Sequence, residues 1–176
     1  MRGKVFRRMA VLILALIAAP ALADKLVFDH RLYPPLQAVF DSGRDDLILF
    51  NDKNPAYVTD LIVIRGKSTR DWTEAMIIIA RSPNAKVGSA DDWMAELNRQ
   101  SQAQCASTFE ILSRDELSVT FERTSHGCPA GYPPYALYRI VRGQKSLFLL
   151  GVMSKDGIDP ATRQGWLALF ASARLE

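Results

Sequence analysis

Apolar residues in this chain fall in short runs separated by polar turns, the spacing of a β-rich protein. Residues 47–50 (LILF) form the first run, and the turn formers of 51–55 (NDKNP) follow it. Residues 57–65 contain Leu61-Ile62-Val63-Ile64 and close at Gly66, and 72–80 end in Met76-Ile77-Ile78-Ile79-Ala80. Residues 108–112 and 117–123 flank the polar turn 113–116 and predict a hairpin. Residues 136–142 and 146–152 flank Gly143-Gln144-Lys145 and predict a second. In 117–123, Leu117, Val119 and Phe121 fall on one face and Ser118, Thr120 and Glu122 on the other, which predicts one wet face. In 146–153 both faces are apolar, with Phe148, Leu150 and Val152 on one and Leu147, Leu149 and Met153 on the other. Residues 76–79 are likewise apolar on both sides, so these strands need cover on both sides.

Helices supply that cover. Ser89 followed by Asp92 has the form of a capping box, and Trp93, Met94 and Leu97 share one side of the helix predicted over 91–104. Asp159 with Pro160 behind it is a second start signal, for a helix to about residue 173 buried through Trp166, Leu169, Phe170 and Ala173. A short third helix is expected after Pro35. The fold class is therefore α+β: an antiparallel sheet of about six to seven strands flanked by two main helices, an α/β/α sandwich.

The order of strands, helix, two hairpins and helix over residues 44–175 resembles the PsbP, DcrB and Mog1-like group of α/β/α sandwiches. The resemblance lies in element order and not in a motif. It implies a protein that binds partners and is non-catalytic. It carries no functional residue over, and the cysteine pair of this chain is not a requirement of that group.

The first 23 residues change the charge argument. Arg2, Lys4, Arg7 and Arg8 precede the apolar run 9–19, and Pro20-Ala21-Leu22-Ala23 supplies small residues at the minus-three and minus-one positions. This is the form of a secretory signal peptide, and the run is short for a membrane span. Arg7-Arg8 raises a twin-arginine route, but Ala10 and Val11 follow where an aromatic residue and a leucine would be expected, which favours general secretion. No cysteine follows the run to take a lipid, so no stable membrane anchor is expected after cleavage. The whole chain holds 22 Lys+Arg against 19 Asp+Glu; the signal carries four of the bases and no acid, leaving 18 against 19. Nucleic acid is not an expected partner, because phosphate neutralisation needs a basic surface. Residues 24–176 are one domain by size, and the composition of the whole chain, 48% hydrophobic and 23% charged, excludes disordered, collagenous and multispan membrane classes.

Cys105 and Cys128 are the only cysteines, and in an exported chain an even count reads as a disulfide. The other reading is a reactive Cys128 two residues from His126, without a C-x-x-C spacing. His30 and His126 are the only histidines, a thin supply for a zinc site, so neither a metal nor a cofactor is expected. The acid pairs Asp45-Asp46, Asp91-Asp92 and Asp115-Glu116 point apart on a helix or strand, and no P-loop, G-x-S-x-G or H-E-x-x-H occurs. The segment 65–70 (RGKSTR) reads as a charged loop, with anion binding as the alternative. No catalytic residue is assigned.

Residues 124–135 (TSHGCPAGYPPY) are the most unusual segment. Prolines and a disulfide would stiffen the loop, and its aromatics would lose little entropy on binding. His126, Tyr132 and Tyr135 are the candidate binding residues; the alternative is a pinned connector with its tyrosines in the core. The expected function is a periplasmic or secreted non-catalytic binding or accessory protein with a protein partner of unknown identity. One version is an immunity-type inhibitor of a secreted toxin or hydrolase. The alternatives are a small exported enzyme using His30, His126 or scattered carboxylates, and a carrier of hydrophobic ligands.

Overall fold

The computed structural model describes residues 24–51 and 57–176. The expected signal segment and most of the expected 51–55 turn lie outside the described residues.

The strands form where the apolar runs predict them. They are β2 (Ile48–Asn51), β3 (Tyr57–Ser68), β4 (Asp71–Arg81), β5 (Ala106–Arg114), β6 (Ser118–His126), β7 (Tyr135–Arg142) and β8 (Leu147–Ser154). They make one antiparallel sheet in the order β2-β3-β4-β8-β7-β6-β5, with the two-faced strands β4 and β8 side by side in its interior. β1 (Leu26–Val27) pairs separately with β9 (Arg174–Leu175), tying the two ends of the described chain together. The fold is α+β, as the pattern predicts.

Neighbouring residues of β8 belong to different cores. Leu150 and Val152 pack with Tyr33, Leu36, Val39, Trp166, Leu169 and Phe170. Leu147 and Leu149 pack with Val87, Ala90, Trp93, Phe121 and Tyr138. The first core lies under α1 (Pro34–Asp41) and α3 (Pro160–Ala171), and the second under α2 (Ala90–Gln104). The helix signals act as expected: the Ser89–Asp92 capping box is formed, and the Asp159 side chain accepts from the N–H groups of Ala161 and Thr162 with Pro160 opening α3. The short helix expected after Pro35 starts at Pro34 with Tyr33 as its N-cap, because proline's missing N–H costs nothing at the first helical position.

The wet face expected for β6 is covered. Ser118 and Thr120 are buried, and the Glu122 carboxylate takes a two-pronged ion pair from Arg163 of α3, with Nη2···Oε2 at 2.7 Å. The alternation of the strand is correct, but α3 crosses the polar face and its arginine satisfies the acid there. Leu117, expected on the apolar face, precedes the strand and is exposed.

Under α1 and α3 one carboxylate organises the contacts. Glu74 is 2% exposed, and its Oε1 accepts from the Tyr33 hydroxyl at 3.0 Å and the Trp166 indole N–H at 2.8 Å. Arg65 Nε lies 3.2 Å from its Oε2. The Tyr33 and Trp166 rings meet at 4.2 Å, and a Cβ on Gly165 would stand 2.8 Å from the Tyr33 ring. Glycine in mid-helix carries a propensity cost of about 1 kcal/mol, and here it admits that ring.

Replacing Glu74 with alanine leaves the tyrosine and indole donors buried without an acceptor. E74A is expected to lose about 2–4 kcal/mol in urea denaturation, and E74Q, which keeps an acceptor, less. A loss under about 1 kcal/mol in E74A would mean that the carboxylate does not hold this core together.

A second expectation concerns pH. Burial pushes the Glu122 carboxyl up, but the hydrogen bonds and charge of Arg163 outweigh it and hold the group below the usual carboxylate range. The stability this pair contributes is therefore complete above the unfolded carboxylate value of about 4.3, and is lost as pH falls through the lower folded value. R163Q should be less stable than the parent at pH 7, with the gap narrowing below about pH 4. Urea midpoints across that range check it; a gap constant with pH would deny the pair its electrostatic role.

Candidate functional site

The site begins with the register of the β5–β6 pair. Ala106 opposes His126, so the residue before β5 and the loop after β6 come to the same place. Cys105, which caps the C-terminus of α2, and Cys128 in that loop are disulfide-bonded with their Cα atoms 4.9 Å apart. The bridge ties the end of a helix to the loop joining β6 and β7. Gly127 and Gly131 turn that loop with φ of 66° and 86°, and Tyr132 N–H donates to the Pro129 carbonyl at 3.1 Å.

The decisive residue is Arg123. Val119, Phe121, Arg123 and Ser125 alternate on the face of β6 turned toward α2, so the guanidinium enters a layer built from aromatic rings. Phe121 stacks on Phe109 at 5.5 Å and on Tyr138 at 5.2 Å. Arg123 is 5% exposed. Its guanidinium lies 4.7 Å from the centre of the Tyr132 ring and donates to the Tyr132 hydroxyl, the Ser101 hydroxyl and the Pro133 carbonyl. Among the described residues no carboxylate pairs with it, and its Nε–H has no hydrogen-bond partner. Two carboxylates near that end of the molecule pair elsewhere: Glu96 with Arg81, and Glu122, on the opposite face, with Arg163.

The hydroxyls around it form a chain whose direction can be worked out. Ser107 donates to the Cys105 carbonyl at 3.2 Å, so its oxygen accepts from Ser101 at 2.7 Å and from Ser125 at 2.8 Å. With its proton given to Ser107, Ser101 accepts from Tyr132 at 3.0 Å, and Tyr132 accepts from Arg123. Donation thus runs from the guanidinium through three side chains to the residue that carries the disulfide.

A recess of about 500 Å³ opens beside this network, between the last turns of α2 and the sheet. Leu97, Gln100, Ser101 and Gln104 of α2 form one wall. Phe109, Arg123, Tyr138 and Met153 of the sheet form the floor, and Tyr132 and Pro133 close the end. Tyr138 reaches its position across Gly151, where a Cβ would stand 2.8 Å from its ring. Burial pushes the Tyr138 phenol up. A recess of this size, mostly apolar with a few convergent donors, has the character of a small-ligand or side-chain pocket.

The three candidate binding residues are not brought together. Tyr132 faces Arg123 at the end of the recess. Tyr135 is buried in the opposite core, where burial, ahead of the neighbouring Glu122 carboxylate, pushes its phenol up. His126 is exposed at the end of β6 and does not line the recess, and His30 lies against Phe40 near the start of α1. The 65–70 segment is not the expected charged loop: residues 65–68 end β3, and only Thr69 and Arg70 turn the chain into β4. Arg123, Ser101 and Tyr138 were not singled out from sequence. A signal for Arg123 exists: a charged residue standing in phase with the apolar series Val119 and Phe121.

No protein-family model matches this chain, and no curated protein is significantly similar to it.

The bridge encloses a loop of the length for which chain entropy predicts about 3–4 kcal/mol of stabilisation. Thiol labelling of the unreduced, denatured protein is expected to find no free thiol, and C105S to lose stability on that scale. Two labelled thiols would return Cys128 to consideration as a reactive group.

Proposed function

We propose that this is an exported, non-catalytic binding protein of the periplasm or extracellular medium, whose partner is a protein engaged at the recess between α2 and the disulfide-tied loop. The observation that carries the reading is Arg123. Burying a charge without an opposite charge costs several kcal/mol, and such a cost is commonly met at sites that receive a ligand. The groups around it also suit recognition. Guanidinium, hydroxyls and carboxamides hold a partner in register, whereas general acid–base work near neutral pH calls for a histidine or a tuned carboxylate within reach of the substrate.

Export is supported by the form of residues 1–23, by the disulfide, and by the role of the residue that follows the expected cleavage point. The Asp24 carboxylate accepts from the backbone N–H groups of Lys145 and Ser146 at 2.7 and 2.9 Å, so cleavage after Ala23 keeps a group that holds the β7–β8 turn. No described helix is long and apolar enough to cross a membrane. An immunity-type inhibitor is one form this function takes, with a secreted toxin or hydrolase as the partner. The apolar part of the lining supports a second reading, a carrier of hydrophobic ligands.

One preparation tests both parts of the proposal. The protein recovered from the exported fraction should have the intact mass of a chain beginning at Asp24. Used as bait against exported proteins, it should capture a partner that L97W, a variant that fills the recess, no longer holds. Retention of residues 1–23 would make it an anchored protein, and equal capture by a folded L97W would remove the recess from the interface.

A further inference from the structure

We infer that the recess is a receptor for a carboxylate borne on an apolar group, with Arg123 as its counter-charge; this rests on the reading of the recess as a binding site and names the chemistry it selects. Arg123 is the only residue lining the recess that is charged at neutral pH. Its guanidinium has five N–H donors, and the three protein acceptors that it reaches are all neutral oxygens. Three of the five donors are thus met by neutral groups, the buried Nε–H has no partner, and no opposite charge among the described residues answers the guanidinium. A neutral ligand adds nothing to that balance, a cation worsens it, and an anion corrects it. Burial raises the stakes: Arg123 is 5% exposed, and Phe109, Tyr138 and Leu97 line the recess with it, so its charge acts in surroundings less polar than water.

The rest of the lining selects the body behind the head group. Leu97, Phe109 and Met153 offer an aliphatic, an aromatic and a thioether surface, and Met is the side chain that best adapts to an irregular apolar guest. Gln100 and Gln104, one turn apart on α2, line the same wall, and the Gln100 amide donates to Glu96 Oε1 at 3.2 Å. A carboxylate is the oxyanion that fits this setting. It carries one charge to match one arginine, whereas a phosphate dianion would exceed it. The same chemistry has two sources, a small free acid and the C-terminal carboxylate of a polypeptide that ends in an apolar residue. Both are compatible with a partner-binding role.

The same site gives a reason for the disulfide. Tyr132 and Pro133 hold the guanidinium from the loop side, Ser101 holds it from α2, and the bridge joins those two elements. The counter-charge is thus fixed in place before any ligand arrives, which lowers the ordering cost of binding.

Three probes of one shape read the charge preference on the unaltered mature protein: 3-phenylpropionate, 3-phenylpropanol and 3-phenylpropylamine, titrated by calorimetry at pH 7. The acid is expected to bind saturably, with a Kd on the order of 0.1–1 mM for a ligand of this size, at least about tenfold more tightly than the alcohol, and the amine not at all. L97W should abolish binding, and R123M should lose the acid-over-alcohol preference. If R123M does not fold, the three-probe comparison and L97W still decide the matter. A hexapeptide ending in Phe with a free carboxylate, set against its C-terminal amide, separates the sources. Tighter binding of the peptide acid than of phenylpropionate assigns the site to a polypeptide terminus, and binding of phenylpropionate alone assigns it to small acids. Equal binding of acid and alcohol, both lost in L97W, would overturn the carboxylate assignment and leave the recess a binding site. No binding of the acid up to 10 mM (roughly tenfold above the expected range) would also overturn it, whereas binding unaffected by L97W would remove the recess itself.

Discussion

A sheet whose middle strands are apolar on both faces cannot be left open to water on either. β4 and β8 lie side by side in this sheet, and every residue from Leu147 to Val152 is buried. Both faces must therefore be covered, and the chain does it with α1 and α3 on one and α2 on the other. The three-layer arrangement, the position of each helix and the fate of the polar face of β6 follow from that requirement. Cover is complete over Leu147–Val152 of β8 and thinner elsewhere: Ile77, Ile78 and Ile79 of β4 are half-buried, and Phe50 of the edge strand β2 stays 70% exposed.

Each layer between sheet and helix contains one deeply buried ionic group, and the two are treated differently. Glu74, under α1 and α3, has donors on both carboxylate oxygens, one of them the arginine Arg65, so its charge is compensated and its geometry over-determined. Arg123, under α2, has neutral acceptors for three of its five donors and, among the described residues, no acid. A buried ion that is fully answered holds a structure together. A buried ion with good hydrogen bonds and no counter-ion keeps a position against its own desolvation cost. That difference places the functional reading at Arg123 and the structural one at Glu74.

The site also explains why the loop after β6 has its composition. Tyr132 serves as a stacking surface and a hydrogen-bond relay for the guanidinium, Pro133 supplies a carbonyl, and Cys128 fastens the segment to α2. Prolines restrict the backbone between these points, so the loop acts as a fixed wall. His126, next to it in sequence, is turned out to solvent at the strand end and takes no part.

Nearly all the elements were legible in the linear pattern. The two-residue period marks the strands, the two-faced runs announce a sheet covered on both sides, and the caps at Ser89 and Asp159 mark where α2 and α3 begin, because these signals depend only on neighbours a few residues apart. The Cys105–Cys128 pair was legible too, from an even count in a chain whose first 23 residues have the form of an export signal. The site was legible only in part. The 124–135 segment stood out by composition, yet Tyr132 and Tyr135, three residues apart, lie in different layers: the chain enters β7 between them, and burial depends on which face of the strand meets which helix. Arg123 stood in phase with Val119 and Phe121, but its sequence neighbours could not tell whether an acid, a ring or water would meet it. Only the packing of α2 over β5 to β7 decided that, by bringing Ser101, Tyr132 and Tyr138 around the guanidinium and no carboxylate with them. Local backbone preference acts over a few residues, whereas the balance of a buried charge is set by side chains from distant parts of the chain.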